Sequence, residues 1–288
     1  MNDFHLPPQT HVGYANLYTA NLTRSLEFYV DKMGFQRICS DDDAVALSAD
    51  GHTAHILLTE RKSWKPKPTR STGLYHVAIL LPSRLMLARL FKHLVNLRCP
   101  FGGFSDHLVS EALYLDDPDG NGLELYRDRP SSEWQYVNAQ VQIGTEPLDV
   151  TKLLNEGDDS DWKGIDASTK IGHVHLHVAD LAQAKTFYTD LLGLPVSIDY
   201  SSNGAMFVAA GDYHHHIGFN IWAGTHLQPP QTLGLREFSL VVPDLGTLDS
   251  VRERFNQAGI TVEAGSDHSL LVHDPVGNAV RLVKDQTD

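Results

Sequence analysis

The sequence predicts an α+β fold of four βαβββ units, on the strength of two repeats and one spacing rule. GYANLYTANLTRSLEFYVDKMGF at residues 13–35 is answered by GHVHLHVADLAQAKTFYTDLLGL at residues 172–194. Phe28-Tyr29 matches Phe187-Tyr188, and Gly34 matches Gly193. YLDDPDGNGLELYRD from Tyr114 is answered in the same way by LVHDPVGNAVRLVKD from Leu271. Repeats of this kind mark units that fold alike, and one copy can keep a site that its counterpart has lost. The spacing rule concerns the helix-capping positions 21, 83, 180 and 244. Seven residues before each stands a matching first-strand residue: Tyr14, His76, His173 and Glu237.

Each unit opens on alternating side chains, the mark of a half-buried strand. In the third unit His173, His175 and His177 share one face, with Val174, Leu176 and Val178 on the other. Asn21 or Asp180 then caps a helix that carries the Phe-Tyr pair and ends at Gly34 or Gly193. Strands AVALSA (44–49) and HILLTE (55–60) follow in the first unit, with GAMFVAAG (204–211) and HIGFNIW (216–222) as their counterparts. The second unit runs HVAILLPSRLMLARLFKHL, FGGF, ALYL, a DPDGN turn and LELY. The fourth runs EFSLVVPDLGTLDSVRERF, ITVEA, LLVHD, a PVGN turn and AVRLV. The unit boundaries read as 8–68, 72–128, 171–224 and 234–285. Residues 129–170, with RPSSEW and NEGDDSD, read as a polar connector that crosses between halves and carries a short helix at LDVTKLLNE.

Composition narrows the partners. At 288 residues with 42% hydrophobic and 20% charged side chains, the chain reads as an ordinary globular protein with a sizeable core. A formal charge of −13 repels phosphate backbones, so no nucleic-acid partner is expected. No apolar stretch approaches the ~18 residues of a membrane span. The start MNDFHLPPQTH has neither the basic nor the apolar region of a signal peptide. Two cysteines, Cys39 and Cys99, make no disulfide framework, so a reducing cytoplasm is the expected setting.

Four βαβββ units in one chain resemble the vicinal oxygen chelate superfamily, the group of glyoxalases, bleomycin-resistance proteins and extradiol dioxygenases. The resemblance covers nearly everything outside the connector. It implies that units pair into two cup-shaped mixed β-sheets with helices outside, and that metal ligands come from the first and last strands of paired units. His76 and His173 hold first-strand ligand positions, and Glu124 holds the carboxylate position after DPDGN. Two imidazoles and a carboxylate form the triad that holds Fe(II), or Mn(II), and leaves about three positions open. Tyr14, Glu237 and Arg281 stand at the other copies, and arginine cannot ligate a metal. Pairing units two with three and one with four gathers the three ligands into one cup. Sequential pairing stays open as the alternative.

TGLYHVAILLPSR, SEALYLDDPDGNGLELYRDRPSSEWQ, IGHVHLHVADLAQAKTFYTDLLG and GDYHHHIGFNIWAG carry a narrower resemblance, to catechol 2,3-dioxygenases of Bacillus type. It implies extradiol cleavage, in which O2 opens a small aromatic diol beside one hydroxyl. Carried over, His215 is the acid-base histidine, with His214 and His216 pointing away from it on an alternating strand. Tyr114, ten residues before Glu124, is the substrate-binding tyrosine, and His107 a further active-site histidine. Two other readings stay open. A glyoxalase-type isomerase or thiol transferase would want a fourth protein ligand, where the third unit offers Asn220. A non-catalytic small-molecule binder would need no triad. Self-association into a homo-oligomer through exposed β-edges is left undecided.

Overall fold

A computed structural model describes residues 4–137, 140–158 and 162–286. The first three residues and the end of the NEGDDSD run, at 159–161, lie outside the described residues. Among the described residues, five α-helices begin where a short polar side chain can satisfy a free backbone amide. They are α1 (Leu22–Leu26), α2 (Arg84–Asn96), α3 (Val150–Glu156), α4 (Leu181–Lys185) and α5 (Leu245–Gln257). Asn21, Ser83, Asp149, Asp180 and Asp244 accept from the amides of Arg24, Met86, Lys152, Gln183 and Thr247. The longer pair, α2 and α5, buries one stripe each, Leu87-Leu90-Phe91-Leu94 and Leu248-Val251-Phe255.

The two short helices depart from the sequence reading. Each runs on into a π-helical turn, Glu27–Lys32 after α1 and Thr186–Leu191 after α4. The Met33 and Leu192 amides donate to the carbonyls of Phe28 and Phe187, both at 2.9 Å. The wider turn buries both aromatic rings of each pair. It also sends the Tyr29 hydroxyl to Asp117 at 3.0 Å and the Tyr188 hydroxyl to Asp274 at 2.9 Å. The Phe-Tyr pairs are thereby tied to the DPDGN and DPVGN turns. An α-helical turn, with its tighter winding, would not give this register. Gly34 and Gly193 then end the helices at φ +82° and +89°, where a side chain is strained.

Among the described residues, the strands fall into two eight-stranded sheets and one small ribbon. The first unit supplies β1 (His11–Thr19), β2 (Gln36–Ser40), β3 (Ala44–Ser48) and β4 (Ile56–Glu60). The second supplies β5 (Gly73–Leu80), β6 (Gly103–Asp106), β7 (Ser110–Asp116) and β8 (Gly122–Asp128). The connector holds β9 (Tyr136–Val137) and β10 (Gln140–Val141). Then come β11 (Lys170–His177), β12 (Val196–Tyr200), β13 (Ala205–Val208) and β14 (Ile217–Asn220). The last unit gives β15 (Gly234–Val242), β16 (Glu263–Ala264), β17 (Leu270–His273) and β18 (Ala279–Lys284). One sheet has the order β12-β13-β14-β11-β5-β8-β7-β6, and the other β16-β17-β18-β15-β1-β4-β3-β2. Units three and two share the first, and units four and one the second.

Alternation decides what each face of the first sheet carries. Val77, Ile79, Leu123, Leu125, Val174 and Leu176 join one hydrophobic core with Val12, Leu17 and Leu240 of the other sheet. His76, Ala78, Glu124, His173 and His175 are left for the opposite face.

Candidate active site

The antiparallel seam between β5 and β11 sets His175 opposite His76 and His173 opposite Ala78. Parallel pairing of β5 with β8 puts Glu124 beside Ala78, and β7 puts Tyr114 opposite Glu124. Tyr114, Glu124, Ala78 and His173 therefore form one row across four strands. Ala78 is small enough to leave a gap between the carboxylate and the imidazole. His76, two residues earlier on the same face of β5, looks into that gap. The result is a cluster of His76, Glu124 and His173 with one ligand atom from each within 4.8 Å of the others. His76 Nε2 lies 3.0 Å and His173 Nε2 3.4 Å from Glu124 Oε2.

All three side chains are buried. Burial drives the His173 imidazole down to about 4, so it is neutral at ordinary pH. Burial works the other way on Glu124, but the His173 and His76 rings beside it outweigh that and hold the carboxyl well below its usual range. His76 Nε2, despite its nearness to the carboxylate, has no hydrogen-bond partner among the described residues, and neither has His173 Nδ1. An unpartnered buried nitrogen is costly unless something else uses its lone pair. Two imidazoles and one carboxylate suit a divalent metal.

The cluster opens into a cavity of about 400 Å³ whose walls include Tyr75, His107, Tyr114, His175, Phe207 and His215. His107 stands behind Tyr114. Its Nδ1 can only donate to the Gly144 carbonyl, 2.7 Å away, which leaves Nε2 to accept from the Tyr114 hydroxyl at 2.7 Å. Burial and the Glu124 charge keep that hydroxyl protonated, well above its ordinary range.

His215 reaches the cavity with its ring 4.1 Å from that of His173. The expected alternation of His214, His215 and His216 is corrected here. Residues 211–216 turn before β14 begins at Ile217, because Gly211 takes φ +61°. His216 faces away: its Nδ1 accepts from the Ala210 amide, and Tyr213 packs on its ring. His214, however, lies against His215, with their Nδ1 atoms 2.7 Å apart. The other nitrogen of His214 is 2.8 Å from Asp128 Oδ1. A carboxylate can only accept, so His214 donates from Nε2; in the state where both rings are neutral, His214 Nδ1 then accepts and His215 donates from Nδ1. His215 Nε2 is left bare, as a base. Burial, then the neighbouring imidazoles, keep His215 well below the usual histidine range. Asp128 also accepts from the Tyr213 hydroxyl, at 2.9 Å.

Asn220 is buried behind the histidines of β11. It offers Oδ1 to His177 Nδ1 at 2.7 Å and Nδ2 to His175 Nε2 at 3.0 Å, so it turns away from the cluster. Two glycines admit this crowding. A Cβ at Gly218 would sit 3.0 Å from the His175 ring, and one at Gly172 would lie 1.7 Å from the Tyr126 hydroxyl. The sequence reading did not assign roles to His175, His214 or Asp128. The alternation of β11 pointed to His175, but nothing in sequence spacing joins Asp128 to residue 214. It also took the connector as a crossing alone, whereas Ile143, Gly144 and Thr145 wall the cavity.

At the equivalent place in the other sheet, Asn16 lies opposite Glu237 and Arg281 beside Ser239. Arg281 Nε and Nη2 grip the two oxygens of Glu237, each at 2.9 Å. The Tyr14 hydroxyl donates to Glu237 Oε1 at 2.7 Å.

Comparison with known proteins agrees with this architecture. A catechol-2,3-dioxygenase of Bacillus subtilis strain 168 is 45% identical over 278 residues, spanning 94% of this chain and 95% of that protein. Among solved structures, one from the same strain superposes with a TM-score of 0.68 at 12% identity, over 96% of this chain and 85% of that one. Glyoxalase I from Zea mays superposes at 0.59 with 15% identity, over 96% and 92%. At such low identity the two structures speak for the fold alone. Residues 11–125 and 170–282, in both halves of the repeat, match one family description, and on that ground the chain belongs to the Glyoxalase/Bleomycin resistance protein/Dioxygenase superfamily.

Proposed function

We propose that the protein is an extradiol dioxygenase that inserts both atoms of O2 into a catechol-type diol, breaking the ring C–C bond beside one hydroxyl. The observation that carries this reading is a three-ligand cluster at the floor of a cavity, with the His215 ring beside it. The name of the Bacillus subtilis relative supports it. His76, Glu124 and His173 would hold Fe(II), or Mn(II), which when bound supplies open positions for both diol oxygens and for O2.

The remaining work falls to the chain. His215 Nε2 takes a proton from one hydroxyl as the diol binds, and the positive charge so formed is shared with His214 and Asp128. The same nitrogen returns the proton when charge develops on oxygen later in the reaction. Tyr114, steadied by His107, hydrogen-bonds a diol oxygen and orients the ring. A fourth protein ligand, which a glyoxalase-type isomerase would want, is not supplied by Asn220, because its amide is committed to His175 and His177.

The test is oxygen uptake by protein loaded anaerobically with Fe(II). One O2 consumed per catechol, with a ring-opened semialdehyde as product, is expected. Intradiol products, or isomerisation of a thiol hemiacetal without oxygen uptake, would overturn the assignment.

A further inference from the structure

The cavity that holds the cluster is larger than one ring needs, and its far end has a chemistry of its own. About 400 Å³ lies within the range that accommodates drug-sized ligands. Beyond the cluster the walls are Val109, Ile143 and Phe207, with Tyr75, Tyr200 and Trp222 around them. The last three are between 38% and 52% exposed although all are large and aromatic. Exposed aromatic residues gathered at one mouth mark a surface kept for a ligand. Among the described residues, none of those lining the cavity is lysine or arginine, and Glu124 is its one acid. The formal charge of −13 adds a field that opposes anions.

From this we infer that the substrate carries an uncharged apolar substituent, an alkyl chain or second aromatic ring, seated between Phe207 and the Tyr75–Tyr200–Trp222 mouth. The inference rests on the proposed diol chemistry for which end of the ligand lies inward. A carboxylate on the substituent would be desolvated without a cation to pair it, which disfavours binding strongly. Each methylene buried there should tighten binding roughly fourfold.

Calorimetry of the anaerobic Fe(II)-loaded protein separates this from the reaction itself. 4-Propylcatechol and 4-phenylcatechol are expected to bind about tenfold or more tighter than catechol. 3,4-Dihydroxyphenylacetate is expected to bind about 100-fold more weakly than 4-propylcatechol. Trp222→Ala, at an exposed position, should shrink the ratio between 4-phenylcatechol and catechol at least severalfold. Equal affinity for the carboxylated and propyl compounds, or an unchanged ratio in Trp222→Ala, would overturn the inference. Because binding is read without oxygen, a protein that prefers apolar diols yet opens none of them would refute the dioxygenase assignment and uphold the pocket.

Discussion

The molecule contains the same sheet twice, and the two cups treat one set of positions in opposite ways. In the β5–β11 cup, His76, Glu124 and His173 are brought together with nitrogen atoms left over. In the β1–β15 cup, the corresponding positions hold Glu237, Arg281 and Tyr14, and every charged group finds a partner in the cluster itself. Ser239 replaces Ala78, and its hydroxyl accepts from the Tyr14 amide at 2.8 Å, filling the gap that the alanine leaves. The backbone is conserved between the cups while the interior passes from unsatisfied to self-satisfied. The fold thus requires that this face be buried; it does not require that it be reactive.

That contrast predicts a difference in metal binding, and this is where the largest effect is expected. Alanine at His76, Glu124 or His173 should weaken metal binding by more than the 10–100-fold that loss of a supporting hydrogen bond typically costs. Alanine at Tyr14 or Glu237 should leave metal content unchanged. Metal analysis of the purified variants settles it: equal loss from both cups, or no loss from the first, breaks the comparison.

The next largest effect belongs to the proton-handling chain. His215→Asn should keep its metal and bind the diol, yet turn over about 10²–10⁴-fold more slowly. His216→Asn, whose ring faces Tyr213 and the Ala210 amide, should lose little activity. Crippled turnover in His216→Asn with full activity in His215→Asn would move the base to the other side of the turn.

A smaller effect follows one step back. Asp128→Asn lets an amide nitrogen face His214, which removes the constraint that keeps His215 Nε2 bare. A loss of roughly 10–100-fold in kcat is expected, with diol affinity held within about threefold. A fall in affinity with kcat intact would mean that Asp128 only shapes the cavity.

Much of this was legible in the chain. The four capping residues and their seven-residue offset locate the first strands, because caps and strand periods are local chemistry that side-chain identity dictates. His76, Glu124 and His173 stand at fixed places within the repeat, to which the superfamily resemblance attaches ligand roles; Tyr114 and His107 could be named from the family resemblance alone. What escaped is not local. The π turns answer to Asp117 and Asp274, far along the sequence from the tyrosines they serve. His214 meets Asp128 only after two units share a sheet. The connector's Gly144 carbonyl, which holds His107, had no signature at all.

The last and smallest effect tests whether the second cup is a plug. Arg281 and Glu237 form a two-bond ion pair that is only partly exposed, with side-chain exposures of 23% and 9%. Removing one member leaves the other charge half-buried and unpaired. Arg281→Met should therefore cost about 1–3 kcal/mol of unfolding free energy. Replacing both, as Arg281→Met with Glu237→Leu, removes the desolvation cost together with the attraction, so the double variant should return close to the parent. Denaturant unfolding of the two single variants and the double one measures the coupling directly. If the single variants are as stable as the parent, the pair is not holding the cup. If the double variant also begins to bind metal, the second cup has kept more of the site than its residues indicate. A stable double variant without metal binding is the expected outcome, since neither Tyr14 nor the new apolar pair offers a ligand like the three in the first cup.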